Sequence, residues 1–149
     1  MKYKIITLLL FALASLGMYA QNAAFDRLAD MDGVTEVYIS KAMLSQMPDI
    51  DAEGIDISGI ASKLNHMQIL TTENPKALAS FRSVVASLTS EGYEEYMRIK
   101  DGGERMLMYM KEGKNSKSSF VLTVDEKTSY TIISIAGTFT AADLKALTK

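Results

Sequence analysis

The 149-residue chain contains no cysteine. Its absence excludes a disulfide framework, a thiol nucleophile, a thiolate metal site and an anchor built on a lipid-modified cysteine. Histidine is nearly as scarce, with His66 standing alone. Glycine falls into no phosphate-loop or dinucleotide pattern, and no Gly-x-Ser-x-Gly elbow accompanies the plentiful serines. A basic face is missing too. There are 16 lysines and arginines against 18 acidic residues, a net charge of −2, and the basic residues are scattered. The densest group, Lys111, Lys114 and Lys117, lies beside Glu112 in a Gly/Asn/Ser-rich turn and reads as a solvated loop. Nucleic-acid binding, which needs clustered positive charge against phosphates, is therefore not expected.

Long apolar runs are also missing, with one exception. Lys2 and Lys4 precede an apolar stretch from Ile5 to Leu16, closed by Met18-Tyr19-Ala20. A positive start, a hydrophobic core of ~7–15 residues and a small residue before the cut make an export signal, and the stretch is too short for a spanning helix of ~20 residues. Cleavage is expected after Ala20, although Met18 is bulky for its position. Residues 1–20 are then the signal peptide and residues 21–149 a single exported domain, delivered to the periplasm or outside. Losing Lys2 and Lys4 leaves 14 basic residues against 18 acidic ones, a charge of −4. No further run approaches membrane-spanning length, so neither a transmembrane segment nor a lipid anchor is expected in the mature chain.

The remaining pattern predicts alternating elements. Asn22 is placed to cap a short helix to about Met31, with Phe25 and Leu28 on one face and Asp32-Gly33 as its stop. A strand follows over 34–40, with Thr35, Val37 and Ile39 on one side. Residues 41–47 read as two helical turns ended by Pro48, 49–59 as a loop, 60–63 as a helical turn and 64–71 as a strand. The clearest helix runs from Asn74 to about Ser90, with Pro75 at its first position and Leu78, Phe81, Val85 and Leu88 forming one stripe. Four strand-like runs come next, over 93–100, 104–111, 119–125 and 130–138, joined by short turn-rich links that favour consecutive hairpins. Thr140 to Asp143 is a capping box for a last helix. The fold class expected is α+β, two-layer, with a mostly antiparallel sheet and helices packed on one face.

Several segments match a known family in order. They are Gly33 to Met43, Met67 to Pro75, Tyr93 to Glu104, and Ile135-Ala136-Gly137-Thr138-Phe139-Thr140. These resemble domain-of-unknown-function family 4252, whose members are small exported proteins of Bacteroidota. The resemblance spans essentially the whole mature chain. It implies an export route and a one-domain architecture, but no established activity whose residues can be carried over.

Three groups of residues carry candidate chemistry. Met106, Met108 and Met110 alternate with Leu107 and Tyr109, so three thioethers share one face of a strand, where they suit Cu(I) or simply fill an apolar core. Asp49, Asp51, Glu53 and Gly54 match the first half of a calcium loop, but Ile60 stands where a bidentate glutamate should close the shell. A less regular site using Asp56 and a plain acidic loop both fit. His66 suits a general base or a structural imidazole, and no second catalytic group is legible near it. Glu94 and Glu95 are consecutive on a strand and cannot face the same side, which makes them a poor acid/base pair.

The functional expectation is a non-catalytic binding or protein-interaction domain of the cell envelope. Its sheet face, or an edge strand of the carboxyl-terminal meander, would accept an envelope protein or peptide. The alternative is a carrier or sensor of a small apolar ligand held between helices and sheet. An enzyme of unrecognised type comes third. No cofactor is called for.

Overall fold

The computed structural model describes residues 20–46, 51–52, 55–56, 58–113 and 117–147. The expected signal peptide falls on residues 1–20, of which 1–19 lie outside the described residues. Helix α1 spans Ala20–Ala29, followed by strand β1, Val34–Ser40. Asn22 therefore lies within a helix that begins before it, while Phe25 and Leu28 point inward as their spacing requires. The chain turns out of α1 through Gly33, whose φ of 80° suits a residue without a Cβ.

Helix α2, Lys41–Leu44, is one turn rather than two. The Ser40 hydroxyl caps it by accepting the Met43 N–H at 3.4 Å. Within the expected acidic loop, β2 (Asp51–Ala52) and β3 (Ile55–Asp56) pair as a minimal hairpin, Asp51 opposite Asp56. A 3-10 helix over Ser58–Lys63 leads into β4, Leu64–Thr72. Helix α3 covers Pro75–Ala86, and the Asn74 side chain accepts the Lys76 N–H at 2.9 Å. It stops short of Ser90. Thr89–Glu91 tighten into a 3-10 turn, and Gly92, at φ 95°, redirects the chain.

The meander then runs β5 (Glu94–Asp101), β6 (Glu104–Glu112), β7 (Ser118–Asp125) and β8 (Tyr130–Gly137), before α4 at Ala141–Leu147. One six-stranded sheet results, ordered β1-β4-β8-β7-β6-β5, with every neighbouring pair antiparallel. The α+β class and antiparallel sheet follow the sequence pattern. The cover is distributed differently from a single helical layer.

Alternation along the strands sends apolar residues to both faces. On one face, α1 and α3 bury Phe25, Leu28, Phe81 and Val85 against Leu70, Tyr109 and Ile132. Phe81 and Tyr130 meet edge to face with centroids 5.7 Å apart, and burying each such ring contributes about 1.5–3 kcal/mol. On the other face, short elements provide a second cover. Leu44 from α2, Ile60 and Ala61 from the 3-10 helix, and Phe139 before α4 pack on Met67, Leu122, Ile133 and Ile135. Strands β4, β7 and β8 carry apolar side chains in both directions because they are central, and central strands are covered twice.

Candidate functional site

Helix α4 begins where the sequence places its capping box. The Thr140 N–H donates to Asp143 Oδ2 at 2.8 Å, and the Asp143 N–H returns to Thr140 Oγ1 at 3.3 Å. Lys63 Nζ adds an ion pair to Asp143 Oδ1 at 2.8 Å, and this partner holds the Asp143 carboxyl below its ordinary value. The Thr138 N–H donates to the Lys63 carbonyl at 2.8 Å, and Phe139 is fully buried. The start of α4 is thereby fastened beside the 3-10 helix, over the β4–β8 side of the sheet.

Toward β5 that cover runs out. Between α4 and the outer strands lies a groove of about 330 Å³, lined by Tyr96, Met97, Met108, Met110, Phe120 and Leu144, with Lys145 at its rim. All eight residues of β5 are exposed, Met97 to 38%. The groove offers thioethers and aromatic rings on a sheet face. It is shaped for apolar groups and carries no aligned acid/base pair.

Met106, Met108 and Met110 do share one face, as strand alternation predicts. Met110 is buried, whereas Met106 and Met108 are half-buried against the same cluster. The structure adds Met97, which stands directly across from Met108, with Ile99 across from Met106. Hairpin arithmetic contained that signal. Pairing Asp101 with Glu104 around the Gly102-Gly103 turn sets Ile99 against Met106, and a pairing irregularity between Glu95 and Met97 then rotates Tyr96 toward the groove.

His66 lies elsewhere, on the α1/α3 face near the β1 edge. Tyr38 stacks on it at 5.7 Å between centroids, 20° from parallel. Burial pushes the imidazole below its usual value, while the Asp26 charge works in the opposite direction. Gln68 Nε2 donates to Glu36 Oε1 at 2.7 Å and Asp26 Oδ1 at 3.3 Å, so two carboxylates gather on Gln68, and of these the Asp26 charge reaches His66. The hydroxyl nearest in register, Ser40, is occupied in capping α2. Among the described residues His66 makes no side-chain hydrogen bond, and its ring contact is the stack on Tyr38. It shares a face with Leu70 but not with Leu64, because the register slips between Leu64 and His66 and sends Leu64 into the opposite core.

Of the calcium candidates, Asp49 and Glu53 lie outside the described residues, and Asp51 enters the β2–β3 ladder. Among the described residues no group of three or more histidine, aspartate or glutamate side chains is placed to hold a metal. Glu94 and Glu95 do face opposite sides. Glu95 pairs with Arg98 at 2.7 Å, which holds its carboxyl below the ordinary range.

A second hollow, at the β5–β6 turn, mixes Arg82, Lys100 and Arg105 with Asp101, Asp125 and Glu126, and Arg82 is already paired to Asp125 at 2.9 Å. Such mixed charge selects no ion of one sign. Among the described residues no helix is long and apolar enough to cross a membrane.

These features define a small α+β domain with an open antiparallel sheet and a methionine-walled groove beside one edge. The chain belongs to the family Domain of unknown function (DUF4252), which it matches over residues 25–147. Comparisons with curated proteins and with solved structures give no match.

Proposed function

We propose that this protein is an exported, non-catalytic binding domain of the cell envelope, and that its groove takes an apolar segment of a partner protein or peptide. Export is supported by the charged start and apolar run of residues 1–20. Binding is supported above all by one observation: the apolar groove stays open at the sheet edge, walled by Met97, Met108 and Phe120. Methionine is unbranched and polarisable, so such a wall adapts to side chains of different shapes. Ile99, exposed on β5, extends the apolar surface past the groove.

The test is affinity capture from envelope extracts with the wild-type chain and a Met97→Glu variant. Met97 is exposed enough to accept a charge without disturbing the core. A partner retained by the wild type and lost by the variant supports the reading; identical capture profiles overturn it. A second reading, a carrier of a small apolar ligand, is favoured by the groove volume of about 330 Å³, near the lower end of ordinary ligand pockets. Native mass spectrometry of the purified chain distinguishes the two, because a carrier retains a small molecule.

A further inference from the structure

The two edges of the sheet are guarded very differently. An edge strand presents unpaired N–H and C=O groups, and proteins blunt such edges with charges, prolines and bulges. Strand β5 has these guards: Glu94, Glu95, Arg98, Lys100 and Asp101 along its length, and a pairing irregularity in its middle. Strand β1 has almost none. All seven of its residues pair with β4 without a register shift, and Glu36 is its one charged residue. It contains no glycine, proline, lysine or arginine. Val37 is 47% exposed, Tyr38 60%, and Met43, on the helical turn that follows, 54%.

We propose that β1 is a self-association edge, along which two copies of the chain pair antiparallel about a two-fold axis at Val37 and merge their sheets into one. The occupant is identified by register and charge. Residues directly opposite in an antiparallel pair lie on the same face, and a two-fold arrangement pairs each residue with its mirror position. Only the centre at Val37 pairs the whole of Val34–Ser40 with itself. That register sets Val37 against Val37, Thr35 against Ile39 and Val34 against Ser40 of the second copy. It sets Glu36 against Tyr38, a phenol donor beside a carboxylate acceptor. No like charges meet.

A shift of the axis to Glu36 would bring two carboxylates together, which cross-strand pairing disfavours. Glu36 is held in place for this role by Gln68 Nε2 at 2.7 Å, which occupies only one of its oxygens. The charge of −4 expected on each mature chain, 14 basic residues against 18 acidic ones, is spread over the whole surface and is screened beyond about 8 Å at physiological salt. The groove beside β5 lies at the far end of each sheet and stays open in such a dimer.

The absence of native cysteine makes the test direct. Val37→Cys places two thiols face to face across the axis, whereas Met97→Cys places one on the opposite edge. Under mild oxidation, Val37→Cys is expected to convert to a covalent dimer and Met97→Cys to remain single. Light scattering of the unmodified protein should give twice the chain mass, falling to one chain mass in Val37→Lys, whose melting curve at dilution matches the wild type because residue 37 is exposed. A wild type that stays at one chain mass at all concentrations overturns the proposal, as does equal cross-linking of the two cysteine variants. A dimer that survives Val37→Lys assigns the contact to another surface and overturns it equally.

Discussion

Gly137 is the position where a single methyl group should do the most damage. It ends β8 and is paired on both sides, with Leu64 of β4 and Ser118 of β7. A Cβ added there would sit 2.2 Å from the Lys63 carbonyl oxygen and 2.9 Å from the Leu64 Cα. The first distance is roughly 1 Å short of ordinary contact, and the atoms in the way are backbone, which cannot rotate aside. The φ of Gly137 is not in the left-handed region, so the expected effect of Gly137→Ala is purely steric. Overpacking of this kind costs about 1–3 kcal/mol. Opening the gap also weakens the bond from the Thr138 N–H to the Lys63 carbonyl, worth ~0.5–1.5 kcal/mol. The sum is about 1.5–4.5 kcal/mol, or a fall of about 4–20 °C in melting temperature for a domain of this size. Circular dichroism melts of wild type and Gly137→Ala measure it. Gly103→Ala is the control: nothing lies within 4 Å of its Cβ, but its φ is +97°, so it reports backbone strain alone. If Gly137→Ala melts no lower than Gly103→Ala, the close approach of β4 to β8 is not as described and the reasoning fails.

Two further predictions concern pH. The His66 pKa is lowered by burial below 6.5 in the folded state, so the unfolded chain takes up the proton first as pH falls. Stability present above 6.5 should decline below it, and His66→Gln should flatten that slope in melting curves taken from neutral to about pH 5; an unchanged slope refutes the assignment. The Tyr130 phenol is pushed by burial from 10.0 to about 12. Its stabilising effect is complete below 10 and lost as pH rises toward about 12; because burial also raises Tyr93 and Tyr109, the tyrosinate absorbance step that coincides with alkaline unfolding should shrink by one tyrosine in Tyr130→Phe, and a step of unchanged size refutes the assignment.

The strands were legible because they alternate and are bounded by turns, and α3 because Asn74-Pro75 starts it and Leu78, Phe81 and Val85 recur at helical spacing. Boundaries were less so. Propensity carries residues 87–90 onward as helix, but Ser87 closes α3 by bonding its N–H to the Ser83 and Val84 carbonyls. What covers the second face did not show, because it is assembled from short pieces, α2, the 3-10 helix and α4, none with a long periodic signal.

The sequence by itself determined the six strands of the main sheet, the helix that starts at Asn74-Pro75, the cysteine-free chemistry, the shared face of Met106, Met108 and Met110, and the family. Those are local properties: a side-chain period, a cap, an absent residue type, a run of matching segments. Only the tertiary structure decided that β4 docks on β8, which leaves β1 and β5 as the two edges. It alone laid α4 beside the β5–β6 hairpin so that a groove stays open over Met97 and Met108, and set Asp26 and Glu36 around Gln68. Strand order turns on one long-range pairing, β4 with β8, whose partners Leu64 and Gly137 are far apart in the chain, and no local pattern encodes which of several compatible strands will meet.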